Sequence, residues 1–342
     1  MKELILVTGG TGYIGSHTAV ELISAGYEVV IVDNLANSTV DSLDGIEKIT
    51  GVRPAFEQFD LCDKPRTETF FRKYPLLKAI IHFAAYKAVG ESVEYPLMYY
   101  RNNLVSLMNL LECMDQFKVP SMVFSSSCTV YGQPKEMPVT ENAPVQPAES
   151  PYGNTKRICE EILRDSVRSK PAFQVIALRY FNPIGAHPSA MIGELPQGFP
   201  NNLIPFVTQT AAGLRSELSI FGNDYPTPDG SAVRDYINVT DLAKAHVTSI
   251  RRLLDRKNEA GIEFFNLGTG LGTSVLEVVK TFEKVTGVPV NYKIVGRRAG
   301  DIVAVWADTT KANRVLGWRA ETSLGDSLLS AWNWEKKLRG IQ

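Results

Sequence analysis

Residues Leu4 to Gly15 read LILVTGGTGYIG, and no other stretch restricts the fold as strongly. Leu4, Ile5, Leu6 and Val7 form a short apolar run, the pattern of a buried parallel strand. From Tyr13 onward Ile14, Val20, Leu22 and Ile23 have helical spacing. The glycines between them fit two registers, Gly10-x-Gly12-x-x-Gly15 and Gly9-x-x-Gly12-x-x-Gly15. Strand, glycine loop and helix together make a dinucleotide fingerprint. A side chain in the loop would block a pyrophosphate or push the helix off the strand. The free N–H groups of the helix N-terminus then face the phosphates. The alternative is a turn that merely happens to be glycine-rich, and the next strand argues against it. Glu28 to Val32 ends at Asp33, eighteen residues after Gly15. An acidic residue there accepts from the adenine ribose hydroxyls and repels a 2′-phosphate, which favours NAD over NADP.

The chain has 342 residues, enough for about two domains. Its 44% hydrophobic content supports a sizeable core. A net charge of −1 without blocks of like charge argues against nucleic acid or an anionic membrane as partner. Cys62, Cys113, Cys128 and Cys159 form no C-x-x-C and no metal-like cluster with the four histidines, so no metal is expected. They read as small buried residues of a reducing compartment. The first strand begins by residue 4, leaving no room for a signal peptide, and no apolar run approaches the ~20 residues of a membrane span. A cytoplasmic protein is expected.

Strands and helices alternate through the first half, predicting an α/β doubly wound parallel (Rossmann) sheet. Asn34 to Asn37 form a polar loop where a ribose edge could sit. Asp60 and Leu61 follow the strand Ala55–Phe59; Asp60 either accepts from an adenine amino group or is a surface turn residue. Ala79–Phe83 reads as a buried strand with His82 as a satisfied core histidine, and Ala84 and Ala85 allow close backbone approach. A helix from about Tyr95 to Phe117 carries Asn102 and Asn103. The strand Met122–Phe124 runs into Ser125-Ser126-Ser127. Strand ends carry the chemistry in such sheets, so Ser127 is well placed.

Pro151 to Lys156 open a further helix, with Tyr152 and Lys156 at i and i+4 on one face. An ammonium nearby, assisted by the cofactor's positive ring, favours phenolate and lowers the Tyr152 pKa, making it a general base. By itself Y-x-x-x-K commonly marks a solvated helix face. Its weight here comes from the glycine fingerprint and the Ser-tipped strand. Alternation stops near residue 182, which sets a domain boundary: residues 1–182 bind the dinucleotide, and 183–342 form a smaller mixed α/β substrate lobe. Segments such as 235–265 are expected to pack back on the first domain. Three polar stretches, 200–205, 231–236 and 296–301, hold arginines and amides that would clamp a second, anionic ligand, or else are ordinary surface loops.

On these residues the chain resembles the extended short-chain dehydrogenases/reductases, and within them the UDP-hexose 4-epimerases, over essentially its full length. The matching stretches include VTGGTGYIGSHT, FSSSCTVYG, SPYGNT-K, RYFNPIGAHPS, QGFPNNL and RRAGDIVAVWAD. The resemblance implies UDP-galactose/UDP-glucose interconversion through a 4-keto intermediate, a tightly held NAD and a homodimer paired through the Tyr95–Phe117 and Tyr152 helices. It implies Tyr152 as base, Lys156 as its activator and nicotinamide-ribose ligand, and Ser127 as partner of the reacting hydroxyl. It implies NAD contacts from Gly9, Gly12, Tyr13, Ile14, Asp33, Asn34, Asn37, Ser38, Asp60, Leu61, Phe83, Ala84, Lys87, Asn102, Ser125 and Phe181, besides Tyr152 and Lys156. UDP-sugar contacts are implied from Asn182, Asn202, Leu203, Phe221, Arg234, Arg298 and Asp301. Related nucleotide-sugar 4,6-dehydratases carry an Asp-Glu pair just after the Ser-rich strand, where this chain has Cys128 and Thr129, so dehydration is not expected. At the place of Val305, members restricted to plain hexoses often carry Tyr. Val305 therefore predicts room for an N-acetylated sugar, unless it simply fills strand core.

Overall fold

The structure is a computed structural model and describes residues 2–298 and 302–341. The first half runs β1 (Leu4–Thr8), α1 (Tyr13–Ser24), β2 (Glu28–Asp33), α2 (Asp41–Thr50), β3 (Ala55–Gln58), α3 (Lys64–Lys73), β4 (Leu77–His82), α4 (Val89–Glu94), α5 (Pro96–Phe117), β5 (Ser121–Ser127), α6 (Pro151–Ser169) and β6 (Gln174–Tyr180). The second half runs β7 (Asn182–Ile184), α7 (Leu203–Ala211), β8 (Leu218–Phe221), β9 (Val233–Arg234), β10 (Tyr236–Asn238), α8 (Val239–Leu254), β11 (Ile262–Leu267), β12 (Thr273–Ser274), α9 (Val275–Thr286), β13 (Tyr292–Val295), β14 (Ala304–Val305) and α10 (Leu324–Arg339).

Seven strands pair in the order β11-β6-β5-β4-β1-β2-β3, all parallel. Parallel strands covered on both faces need continuous apolar runs, and Ile5–Val7 and Val29–Val32 are almost completely buried. Residues of one strand alternate between two cores. Met122 and Phe124 of β5 pack with Cys159 and Leu163 of α6, whereas Val123 packs with Leu242 and Ala245 of α8. The strand order reverses between β1 and β4, and sheets of this kind take their ligand at the C-terminal strand ends beside such a reversal.

Two segments from beyond residue 182 complete this domain: β11 extends the sheet beside β6, and α8 lies against α1. The rest of the second half has a core of its own, built from α7, β8, α9 and α10 around Ile204, Val207, Phe282, Leu328 and Trp332. Buried Asp235 ties the two regions together. Its carboxylate accepts from Thr269 N and Oγ1 (2.8 and 2.7 Å), Gly270 N (3.1 Å) and Ala307 N (3.2 Å). Burial raises the Asp235 pKa against the pull of these donors. Among the described residues no helix is long and apolar enough to cross a membrane, and no group of His, Cys, Asp and Glu is placed to hold a metal ion.

Candidate active site

The glycine turn after β1 is shaped by close approach. Gly9 has φ +67°, and a Cβ there would meet Ala84 N at 2.8 Å, because the loop after β4 lies against it. A Cβ on Gly15 would fall on the Gly9 carbonyl oxygen, so this glycine lets α1 start flush against the turn. Gly12 is the extended N-cap of α1 and supplies no side-chain cap. Tyr13 and Ile14 open the helix. The result is a bare, positive helix end above a concave backbone, which suits a pyrophosphate.

Asp33 ends β2 and is nearly buried. Its Oδ1 accepts from Leu35 N (2.9 Å) and Ser38 Oγ (3.2 Å), and its Oδ2 from Thr11 N at a long 3.3 Å. A carboxylate has about four acceptor sites, so capacity remains for ribose hydroxyls. Asn34 donates to Asp60 (3.3 Å), Asn37 is exposed, and Leu61 is buried with its carbonyl accepting from Asn109 (2.8 Å). After β4, Phe83 and Ala84 hang from Thr8, and the Phe83 ring packs on His246 at 4.7 Å. His82 is buried and bonded to Thr8 Oγ1 at 2.8 Å, the satisfied core histidine that its place in an apolar run predicts. Asn102 donates to Asn103 (2.9 Å), which also holds the Tyr86 backbone and Thr155.

The chemistry-bearing residues meet at the end of β5. Ser150 caps α6 by accepting from Gly153 N (3.1 Å), and Pro151 occupies the first turn, where it needs no donor. This places Tyr152 in the first turn of α6, near enough to Ser127 for that hydroxyl to act on the phenol. One turn later the buried Lys156 donates to the Ser125 carbonyl at 2.6 Å, with its ammonium 5.0 Å from the Phe124 ring centre. Burial pulls the Lys156 pKa down to about 8. In the protein alone, burial pushes Tyr152 up to about 12 and the nearby Ser127 hydroxyl lowers it, while the Lys156 ammonium is turned to the Ser125 carbonyl.

Cys128 and Thr129 follow Ser127 in a short 3-10 turn that Ser127 Oγ caps. Burial pushes the Cys128 thiol up to about 12, so it is no acid–base group near neutral pH, and Thr129 has no carboxyl to offer. Arg234 on β9 lies near enough to act on that thiol. Its neighbour in register is Val305, which is 4% exposed among Val130, Tyr131, Phe181 and Ala307. Asn182, first residue of β7, is tied to the Asp235 carbonyl at 3.0 Å. Asn202 caps α7 in front of half-buried Leu203. Arg298 sits 5.8 Å from the ring centre of Phe221, at the exposed end of β8. Asp301 lies outside the described residues.

Three groups stand in the site without having been singled out from the sequence. Tyr180 shares a short hydrogen bond with Ser125 Oγ and lies close to Tyr152. Glu194 accepts from Asn202 Nδ2 (2.5 Å) and faces Lys87 Nζ at 3.6 Å. Glu160 accepts from Ser126 Oγ at 2.7 Å. Of these only Glu160 had a signal available: it is i+8 from Tyr152, on the same helical stripe.

A family profile described as GDP-mannose 4,6 dehydratase matches residues 6–329. The chain is similar to the UDP-glucose 4-epimerase of Bacillus subtilis (strain 168), 51% identical over 331 residues that span 97% of this chain and 96% of that one. Among solved structures it is similar to UDP-glucose-4-epimerase from Stenotrophomonas maltophila with bound NAD and formylated UDP-arabinopyranose (46% identity, TM-score 0.95, covering 99% of this chain and all of that one). It is equally similar in sequence to UDP-glucose 4-epimerase from Bifidobacterium longum in complex with NAD+ and UDP (46% identity, TM-score 0.94, the same coverage). Together with the glycine turn and the Ser127–Tyr152–Lys156 cluster, these matches mean that the chain belongs to the GDP-mannose 4,6 dehydratase family and, within it, to the UDP-glucose 4-epimerases.

Proposed function

We infer that the protein is an NAD-dependent UDP-glucose 4-epimerase, interconverting UDP-galactose and UDP-glucose. The observation that carries this reading is that Tyr152 lies near Ser127 while Lys156, one turn along α6, reaches the Ser125 carbonyl, all at the C-terminal end of β5. Bound NAD supplies a reversible acceptor for the hydride of carbon 4. The chain's own residues handle the proton and the positioning. Tyr152 takes the proton of the 4-hydroxyl and returns it to the same oxygen once the sugar has turned its opposite face for hydride return, and Ser127 holds the oxygen in line. Because the phenol is poised high in the protein alone, the positive nicotinamide ring is needed beside it to bring its pKa toward neutrality. Between the two proton transfers the 4-keto sugar must turn over. Binding energy therefore belongs on the UDP rather than on the hexose. Asn182, Asn202, Leu203, Phe221, Arg234 and Arg298, with Asp301, are the residues we assign to that grip. The division near residue 182 separates the cofactor site from this lobe, except for α8 and β11.

A panel of UDP-sugars tests the reading and its breadth together. UDP-galactose should yield UDP-glucose, and the UDP-N-acetylhexosamines should also interconvert, because Val305 is smaller than a Tyr. Val305 packs on Phe181 and beside Cys128, so Val305→Tyr would press a ring toward the sugar at an overpacking cost of typically ~1–3 kcal/mol. That variant should lose the acetylated substrates and largely keep the plain hexoses. Equal loss of both, or an unmodified protein inactive on acetylated sugars, means that Val305 is not the gate.

We also propose a homodimer and a reducing, cytoplasmic setting. Val89, Val93, Tyr95 and Leu97, on and beside α4 and at the start of α5, are each at least half exposed, an apolar surface that suits a second copy. All four cysteines are free. Sedimentation should report twice the chain mass of 37.8 kDa; a single-chain mass at micromolar concentration contradicts the dimer.

A further inference from the structure

The stripe that carries Tyr152 and Lys156 continues to Glu160, and each of the three engages a different serine of β5. Tyr152 lies near Ser127, Lys156 donates to the carbonyl of Ser125, and Glu160 Oε1 accepts from Ser126 Oγ at 2.7 Å. Glu160 is completely buried and sits one helical turn beyond Lys156, the spacing at which Lys and Glu normally pair. It does not pair with Lys156 here. Arg179 of β6, equally buried, takes it instead through two bonds, Nε to Oε1 at 2.8 Å and Nη2 to Oε2 at 2.6 Å. The half-exposed Arg164 adds one long contact to Oε2 at 3.4 Å. Arg179 is itself fixed: it donates to Tyr131 Oη (2.9 Å), whose hydroxyl reaches Asn266 (2.7 Å), and its guanidinium lies over the rings of Tyr131 and Phe264.

We propose that Glu160 and Arg179 are positioning residues for the reacting pair: the carboxylate pins α6 to β5 through Ser126, and the guanidinium keeps that carboxylate off Lys156. The i, i+4 spacing on α6 puts Glu160 one turn from Lys156, so a carboxylate freed from Arg179 would compete for the ammonium and draw Nζ from the Ser125 carbonyl, away from the first turn of α6. Arg179 holds Glu160 through two bonds, and Lys156 keeps the Ser125 carbonyl. The titratable groups that face the couple are Cys159 on α6, Cys128 beyond β5, His82 on β4, Tyr180 on β6 and Tyr99 on α5. His82, held neutral by burial with a pKa near about 3, and the thiols and phenols bring no fixed charge near neutral pH.

The inference rests on Tyr152 and Lys156 being the reacting couple, and the test separates the two. In the NAD-loaded enzyme, Arg179→Met should lower kcat by about tenfold or more with KM for UDP-galactose within about twofold. The alkaline limb of its pH profile should move upward by about one unit from that of the unmodified protein, because the freed carboxylate favours the charged lysine. Removing the carboxylate as well, in Glu160→Gln/Arg179→Met, should return the limb and most of kcat. A merely structural pair would lower the melting temperature and leave the limb of the folded fraction where it was; that result, or a double variant as displaced as the single one, overturns the proposal. If Arg179→Met does not fold, Ser126→Ala removes the pin without touching a charge. It should lower kcat about threefold or more at unchanged KM, and unchanged kcat overturns the pin. Activity retained by Tyr152→Phe would refute the couple itself; loss in Tyr152→Phe with an unmoved Arg179→Met would refute only the positioning device.

Discussion

Tyr152→Phe should abolish epimerisation while leaving the folded, NAD-containing protein intact. The substitution removes one hydroxyl from the first turn of α6 and keeps the ring. Ser127 Oγ retains the Thr129 N–H at 3.2 Å, and Lys156 retains the Ser125 carbonyl, so neither partner is left without a bond. What disappears is the acceptor for the 4-hydroxyl proton. A positioned general base contributes typically ~10²–10⁴-fold, and kcat should fall by that factor with little change in KM for UDP-galactose. Steady-state kinetics together with the amount of bound NAD decide it. A variant that keeps a tenth or more of its activity contradicts the assignment of Tyr152.

The second large effect is expected from Gly15→Ala. The added methyl would land on the Gly9 carbonyl oxygen, with Gly10 Cα 2.8 Å away. Neither neighbour can retreat. Gly9 is held in a left-handed conformation, with Ala84 N only 2.8 Å from where a Cβ of its own would stand, and Gly10 is packed on Ile31. Helix α1 must therefore move off the turn, and the N–H groups that face the pyrophosphate move with it. NAD affinity should fall by a factor on the order of 100 or more, equivalent to about 2.7 kcal/mol of lost ligand stabilisation. The protein should then purify without cofactor and melt at a temperature that added NAD barely raises. Gly26→Ala is the control. It alters a glycine with positive φ (+93°), so it carries backbone strain of its own, but a Cβ there meets no atom within 4 Å, and NAD content should not change. Full NAD retention by Gly15→Ala contradicts the glycine cradle.

The parallel sheet was legible in the sequence because both of its faces are covered, which leaves continuous runs such as Ile5–Val7 with few alternatives. The glycine turn was legible because close backbone approach admits no other residue at Gly15. Less visible was what depends on long-range contact. The pairing of β11 with β6 and of Glu160 with Arg179 joins residues whose spacing carries no local pattern. Glu194 reads as an ordinary loop acid until the fold brings it between Lys87 and Asn202. The orientation of the Lys156 ammonium was hidden for a related reason. An i, i+4 spacing puts Tyr152 and Lys156 on one face, yet the carbonyl of Ser125, from another element, decides where the ammonium points.

The central claim is that one protein-bound NAD serves both halves of an inversion at carbon 4, with no net redox change. The most direct measurement is to mix the purified protein with UDP-galactose, adding no cofactor, and to follow the products and the absorbance of reduced nicotinamide together. The account predicts an equilibrium mixture of UDP-galactose and UDP-glucose, reached over many turnovers per chain, with no continuing growth of reduced nicotinamide. Reduced cofactor accumulating in step with substrate consumed, or no interconversion even with NAD supplied, would contradict it.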